Sequence, residues 1–401
     1  MEIRVCESVE ELREAMNAIG HYFAHENTVE DAERFTQHLD LDRMHAALDG
    51  GRIVGGAGAF TFALSIPGGL IAVGGVSVVG VLPSHRRRGI LTQLMRAQLD
   101  DCRARGETAA YLWASEGAIY GRYGYGLASR QGQMSLATDR ARFAEPFTPR
   151  GTVRLLDADE AARLLPPVYV QFMAQRPGMI TRSDVWWRAR RLAPSTWNKG
   201  GPKQFALLEL DGVAAGYAIY TVEPEWSNFG FSTGSLNVLE AIATSPEATR
   251  ELWRWLLDFD WTSKVEAAHL PLDHPLFLLL NEPRRMSFEL GDGTWVRLLD
   301  LPGAMAARSF AEEGTIVLEV TDAFMPDNAG RWRVGDGGAE RTDEPGEVAV
   351  DISALGSAYL GGFSFTELVA GLRANELVAG AAERADALFR TNAEPWCAEI
   401  F

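Results

Sequence analysis

Residues 83–92 read PSHRRRGILT, and how this stretch is read decides the fold of the chain around it. Three adjacent guanidinium groups repel one another, so Arg86, Arg87 and Arg88 imply either a strong anion held nearby or a well-solvated turn. The flanks bear on the choice. Before the arginines, Val73–Val81 is a β-favouring run; after them, Leu91, Leu94, Met95, Gln98 and Cys102 recur at helical spacing, with Gly106 as a stop. The segment TAAYLWA at 108–114 then reads as another strand. The arginines therefore occupy a strand-to-helix turn. Free N–H groups at a helix N-terminus attract an anion, and glycine at position 89 lets that anion approach the backbone. A pyrophosphate suits such a turn.

Working outward, SVEELREAMNAI at 8–19 has the form of a capped helix following a short strand, IRVC. Residues 44–83 alternate β-favouring runs with glycine turns, which predicts antiparallel strands. A second copy of this pattern follows. FALLELDGVAAGYAIYTVE at 205–223 parallels MHAALDGGRIVGGAGAFTFA at 44–63, and GSLNVLEAIATSPEATRELWRWLLDFD at 234–260 parallels the segment 74–100. At its turn the second copy has Ser245, Pro246, Glu247, Ala248 and Thr249, without arginines or glycine, and Glu247 would repel a phosphate. From about Trp295 the strands become short and interleaved with helices, which predicts a further α+β domain.

The 401 residues exceed what one core usually holds. A net charge of −16 argues against nucleic acid and anionic membrane and favours cationic small molecules or peptides. Cys6, Cys102 and Cys397 are too scattered for a disulfide framework, which fits a reducing compartment. The start, MEIRVCESVEELREAM, lacks a basic end followed by an apolar run, and no apolar stretch approaches the roughly 20 residues that span a bilayer. The expectation is a soluble, cytoplasmic protein. His21 and His25 lie at i, i+4 but have no evident third ligand, so no metal is expected.

The order strand, helix, antiparallel strands, HRRRGIL, helix, strand resembles the GNAT superfamily of acetyl-CoA-dependent N-acetyltransferases. Arg86 to Gly89 match the first four positions of its pyrophosphate signature, while Leu91 stands where Gly or Ala is usual. With ASEGAIYGRYGYGLAS, the degenerate second copy, GSAYLGG and a terminal phenylalanine added, the chain resembles the Eis (enhanced intracellular survival) family of aminoglycoside acetyltransferases over essentially its whole length. The resemblance implies a mixed α+β (α/β) fold: a GNAT domain over residues 1–130, a degenerate GNAT-like domain over 131–289, and a sterol-carrier-protein-like domain over 290–401. It implies a homohexamer as well. For acetyl-CoA it implies that the backbone of Val79, Gly80 and Val81 pairs with the pantetheine arm. Arg87, Arg88, Gly89, Ile90, Leu91 and Thr92 would cradle the phosphates, with Ser115 and Glu116 alongside.

Amide formation from a thioester needs an unprotonated amine and a proton for the departing thiolate. Tyrosine can donate that proton without also protonating the amine, since phenol titrates near 10 and a thiol near 8.5. The motif IYGRYGYG offers Tyr120, Tyr123 and Tyr125, any of which could instead be a packing aromatic. The family pattern points to Tyr120 as general acid. The apolar, aromatic end EPWCAEIF predicts a docked terminus, and the family pattern gives the α-carboxylate of Phe401 the part of base, working through water; the backbone carbonyl of Val78 is a candidate to share that water. Glu26 and Glu399 are candidates for holding a cationic substrate; the family places its tail acid one residue later, where this chain has Ile400. Two other functions compete: lysine acetylation of peptides or proteins, and lipid binding by a protein whose acetyltransferase unit is vestigial.

Overall fold

The structure, a computed structural model, describes residues 1–195 and 198–401. Residues 1–129 form β1 (Glu2–Val5), α1 (Val9–Gly20), α2 (Val29–Phe35), β2 (Met44–Asp49), β3 (Arg52–Ile66), β4 (Gly69–Val81), α3 (Ile90–Ala104), β5 (Ala109–Trp113), α4 (Gly117–Tyr120) and β6 (Gly126–Leu127). Residues 130–292 form β7 (Arg130–Ala137), β8 (Thr152–Leu156), α5 (Ala158–Met173), α6 (Asp184–Trp186), β9 (Gln204–Leu210), β10 (Val213–Glu223), β11 (Ser235–Ala243), α7 (Pro246–Leu257), β12 (Lys264–Leu270), α8 (Leu276–Leu279) and β13 (Glu289–Asp292). The remainder forms β14 (Thr294–Leu298), α9 (Leu301–Ala307), β15 (Thr315–Thr321), β16 (Gly330–Gly335), β17 (Gly338–Arg341), β18 (Val348–Asp351), α10 (Ile352–Tyr359), α11 (Phe365–Ala370), β19 (Ala374–Glu376) and α12 (Ala381–Phe389).

Local chemistry explains the first elements. The Ser8 side chain accepts the Glu11 amide and starts α1, while Glu11 reaches back to the amide of Glu7 and pairs with Arg4. Three sheets result. The first runs β1-β2-β3-β4-β5-β14-β6 and the second β8-β9-β10-β11-β12-β7-β13, the first five strands of each in the same chain order; the third runs β17-β16-β15-β18-β19. The repeated strand–turn–strand–helix pattern is thus a repeated sheet. The run WVRLLD, where the sequence changes texture, makes β14 and pairs antiparallel with β5 from Thr294↔Trp113 to Leu298↔Ala109.

The chain divides into two compact units: residues 1–129, 293–392 and 399–401 in one, and 130–292 with 393–398 in the other. In the first unit α10 lies against β6 so closely that a Cβ on Gly126 would sit 1.7 Å from the Ser353 carbonyl oxygen. Gly126→Ala is therefore expected to destabilise the protein by about 1–3 kcal/mol, as overpacking does, measurable as a lower denaturation midpoint with an unchanged m-value.

Candidate active site

Strand β4 pairs antiparallel with β3 and parallel with β5, but the parallel ladder ends after Gly75↔Tyr111. From Val76 to Val81 the β5-facing edge of β4 has no strand opposite it among the described residues. In the same stretch two residues of β4, Val78 and Val79, stand opposite one of β3, and Val78 adopts a left-handed φ of 56°. A β-branched residue in that region is strained, and such bulges re-aim backbone groups. The β5-facing edge of the strand along Val79–Val81 thus lies open beyond its last β5 partner. Gly80 lies on the same strand with its Cβ position only 2.7 Å from Ile19, so α1 covers that face. Tyr22 donates its hydroxyl to the Val81 carbonyl at 2.8 Å and anchors the strand end.

Residues 82–89 then turn the chain into α3, with Arg87 at φ 61° and Gly89 at φ 77°. Gly89 supplies no side-chain cap, so the first amides of the helix, at Ile90, Leu91 and Thr92, lack intrahelical partners and carry the positive end of the dipole. A Cβ on Gly89 would meet nothing within 4 Å, so open space lies beside the turn. These residues fit a diphosphate ligand. Arg87 is exposed and makes no ion pair among the described residues. Arg88 is instead tied to Asp49 at 3.2 Å, and Asp49 also meets His85 Nε2 at 3.3 Å while His85 Nδ1 lies 2.9 Å from the Ser84 hydroxyl. This cluster fixes the loop from behind. Ser115 and Glu116 are exposed just after β5.

The tyrosine turn follows. Tyr120 ends α4, is 6% exposed, and meets Tyr125 edge-on at 5.8 Å. Burial, with a smaller contribution from Tyr123, pushes its phenol up to about 12. Its hydroxyl makes no hydrogen bond among the described residues. Tyr123 lies 3.5 Å from the Thr92 hydroxyl in the first turn of α3. Tyr125 is fully buried, its hydroxyl sealed without a partner among the described residues.

The last three residues complete the first unit. Trp113 Nε1 donates to the Glu399 carbonyl at 2.7 Å. The Phe401 ring, 8% exposed, stacks on Tyr111 with centroids 5.9 Å apart and meets Phe62 edge-on at 5.2 Å. A Cβ on Gly75 would lie 3.3 Å from this ring, so Phe401 is seated where β4 and β5 part. Among the described residues no cation pairs with its carboxylate. Glu399 is buried, whereas Glu26 is exposed in a shallow depression with Glu10, Arg13, Asn27 and Thr28. Sequence reasoning missed Tyr22, Asp49, Tyr111 and Trp113. Asp49 read only as part of a turn, Tyr111 and Trp113 as strand residues and Tyr22 as part of the segment after the first helix, because each acts on a partner distant in the chain.

The second sheet shows what happens when this site is closed. Only Thr244 and Ser245 separate β11 from α7, against eight residues (82–89) in the first copy, and the Ser245 side chain accepts the Ala248 amide. Its bulged residue, Leu239, has its carbonyl occupied by Arg191 at 2.9 Å. Beside it Glu240 pairs with Arg182 and Arg191; burial opposes its ionisation, but the two cations outweigh that and hold the carboxyl below its usual range. The groove is filled by the protein's own groups.

Profiles of the acetyltransferase (GNAT) domain match residues 3–128 and 178–298, and the sterol carrier protein domain matches 301–398. An "uncharacterized N-acetyltransferase" of Streptomyces avermitilis is 40% identical over 374 residues, 92% of this chain and 91% of its own. The N-acetyltransferase Eis of Mycobacterium tuberculosis is 33% identical over 358 residues, covering 86% and 84% of the two chains. The crystal structure of Eis1 from Mycobacterium abscessus superposes over 100% of both chains with a TM-score of 0.87 at 33% identity.

Proposed function

The chain belongs to the Eis family of N-acetyltransferases, in the GNAT superfamily, and on that premise we propose that it transfers acetyl from acetyl-CoA to an amine of a cationic substrate, aminoglycosides being the favoured class. The observation that supports this most directly is the backbone from Gly75 to Thr92: a strand edge left unpaired, an uncapped helix N-terminus, and Phe401 at the fork between them. When bound, acetyl-CoA supplies an activated carbonyl and a thiolate leaving group. The residues do the rest. The amides of Val79–Val81 and of the first turn of α3 orient the ligand, so the reaction gains from positioning. The Phe401 carboxylate is a weak base, and its part is to hold a water and stabilise the positive charge on the incoming amine. Tyr120 gives its proton to the departing sulfur. With the phenol at about 12, that transfer is uphill against a free thiol near 8.5, so it accompanies cleavage of the carbon–sulfur bond, and the proton that the attacking amine loses through the water held by Phe401 restores the phenol.

Titration calorimetry with acetyl-CoA, followed by acetylation assays against aminoglycosides and lysine peptides, tests the reading. Binding of acetyl-CoA and turnover of an aminoglycoside are expected. Turnover of peptides alone overturns the substrate class, and a tight lipid ligand with no acetyl-CoA binding overturns the activity. A homohexamer is part of the proposal and is read by sedimentation. Gly89→Val puts a β-branched side chain at φ 77° in the turn; it is expected to weaken acetyl-CoA at least tenfold, about 1.4 kcal/mol, in the same calorimetric assay.

A further inference from the structure

The tyrosine turn rests on a buried ion pair whose acidic partner, Asp322, lies in the domain that resembles a sterol carrier. Arg297 on β14 is fully buried, and its guanidinium lies against the turn: a Cβ on Gly124 would be 2.5 Å from Nη1 and 2.7 Å from Cζ. Gly124 itself sits at φ 85°, so the turn fits only because glycine allows both the conformation and the close approach. Arg297 is held by Asp322, just past the end of β15, with Nη2 at 2.9 and 2.8 Å from the two carboxylate oxygens. That carboxylate also accepts the amides of Phe324 and Met325 and the side-chain amide of Asn328. It is therefore a saturated anchor rather than a mobile charge. Next to it Phe324 meets Tyr123 edge-on at 5.2 Å and is covered by Arg96 at 3.8 Å. Tyr120, Tyr123, Tyr125, Phe324 and Met325 share one apolar cluster.

We propose that Asp322, through Arg297, and Phe324, through Tyr123, are positioning residues that set the tyrosine turn and so aim the Tyr120 phenol. The third domain is on this view part of the catalytic apparatus and not a separable carrier. A single unanchored guanidinium at Gly124 would carry an uncompensated buried charge and would have to move, taking the turn with it. A displacement of about 1 Å at a proton donor can cost on the order of a hundredfold in rate. The inference rests on the reading of Tyr120 as general acid.

The test is a double-mutant cycle on the full chain. Asp322→Asn is expected to lower kcat about tenfold or more, with acetyl-CoA affinity by calorimetry and the amine KM unchanged. In a Tyr120→Phe background the same substitution is expected to cost nothing further, because there is no phenol left to aim. A purely structural role would instead lower both backgrounds by the same factor, or weaken acetyl-CoA, and either result overturns the proposal. So does Asp322→Asn at full rate. If circular dichroism shows that Asp322→Asn does not fold, Phe324→Leu enters the same cycle with the same expectations. A Tyr120→Phe enzyme at full rate overturns the acid assignment and this inference with it; a slow Tyr120→Phe enzyme with additive effects overturns the positioning role alone.

Discussion

Tyr120→Phe is expected to lower kcat by roughly 10²–10⁴-fold, the usual contribution of a positioned general acid, while acetyl-CoA affinity stays within about twofold in calorimetry. The phenylalanine ring keeps the packing against Tyr125, and only the hydroxyl is lost, which makes no hydrogen bond among the described residues. Folding therefore has little to lose from the change. The pH dependence follows from the same burial. The phenol is raised from 10 to about 12, so the folded state holds this proton more tightly than the unfolded chain. Stability from that source is complete below pH 10 and declines as pH rises towards 12. For the rate, Tyr120 remains a donor across the working range, so the profile of kcat should show no alkaline fall before about pH 10. A fall centred near pH 8, absent in Tyr120→Phe, would contradict the assignment.

Appending two residues after Phe401 is expected to reduce kcat by on the order of a hundredfold or more. Stability should change much less, since the ring can keep its seat on Tyr111 and Phe62. The charge, however, moves away along the added chain. Deleting Phe401 should do both kinds of harm. It removes the carboxylate from the fork and also a buried ring whose truncation costs about 3–5 kcal/mol in a well-packed core. Comparing the two variants in steady-state kinetics and thermal melts separates the carboxylate from the ring. Full activity of the extended protein removes the terminus from the mechanism.

Much of this was legible in the chain itself. The run HRRRG between an apolar strand and an apolar-periodic helix is a local pattern, and its meaning rests on backbone groups that every helix start exposes. The aromatic terminus announced that it was docked, though not where. Other parts of the site were not legible. The motif could place Arg88 in the turn, but not show that its guanidinium pairs with Asp49, a carboxylate brought there by the β2–β3 turn. The second copy's turn could be seen to lack arginines, yet not that the loop itself shrinks to two residues or that Arg191 occupies the carbonyl of the bulged Leu239 in β11.

What the sequence alone determined was therefore the strand–turn–helix pattern of the first unit and its duplication, since each depends on periodicity, capping and spacing within some thirty residues, and, by resemblance over the whole chain, the family. What only the tertiary structure decided was partnership. β14 lies in the first sheet beside β5, Phe401 ends at Gly75, and Asp322 reaches Gly124 through Arg297. Strand pairing, ring stacking and buried ion pairs join residues tens or hundreds of positions apart. Their energies depend on distance in space, and no pattern along the chain carries that information.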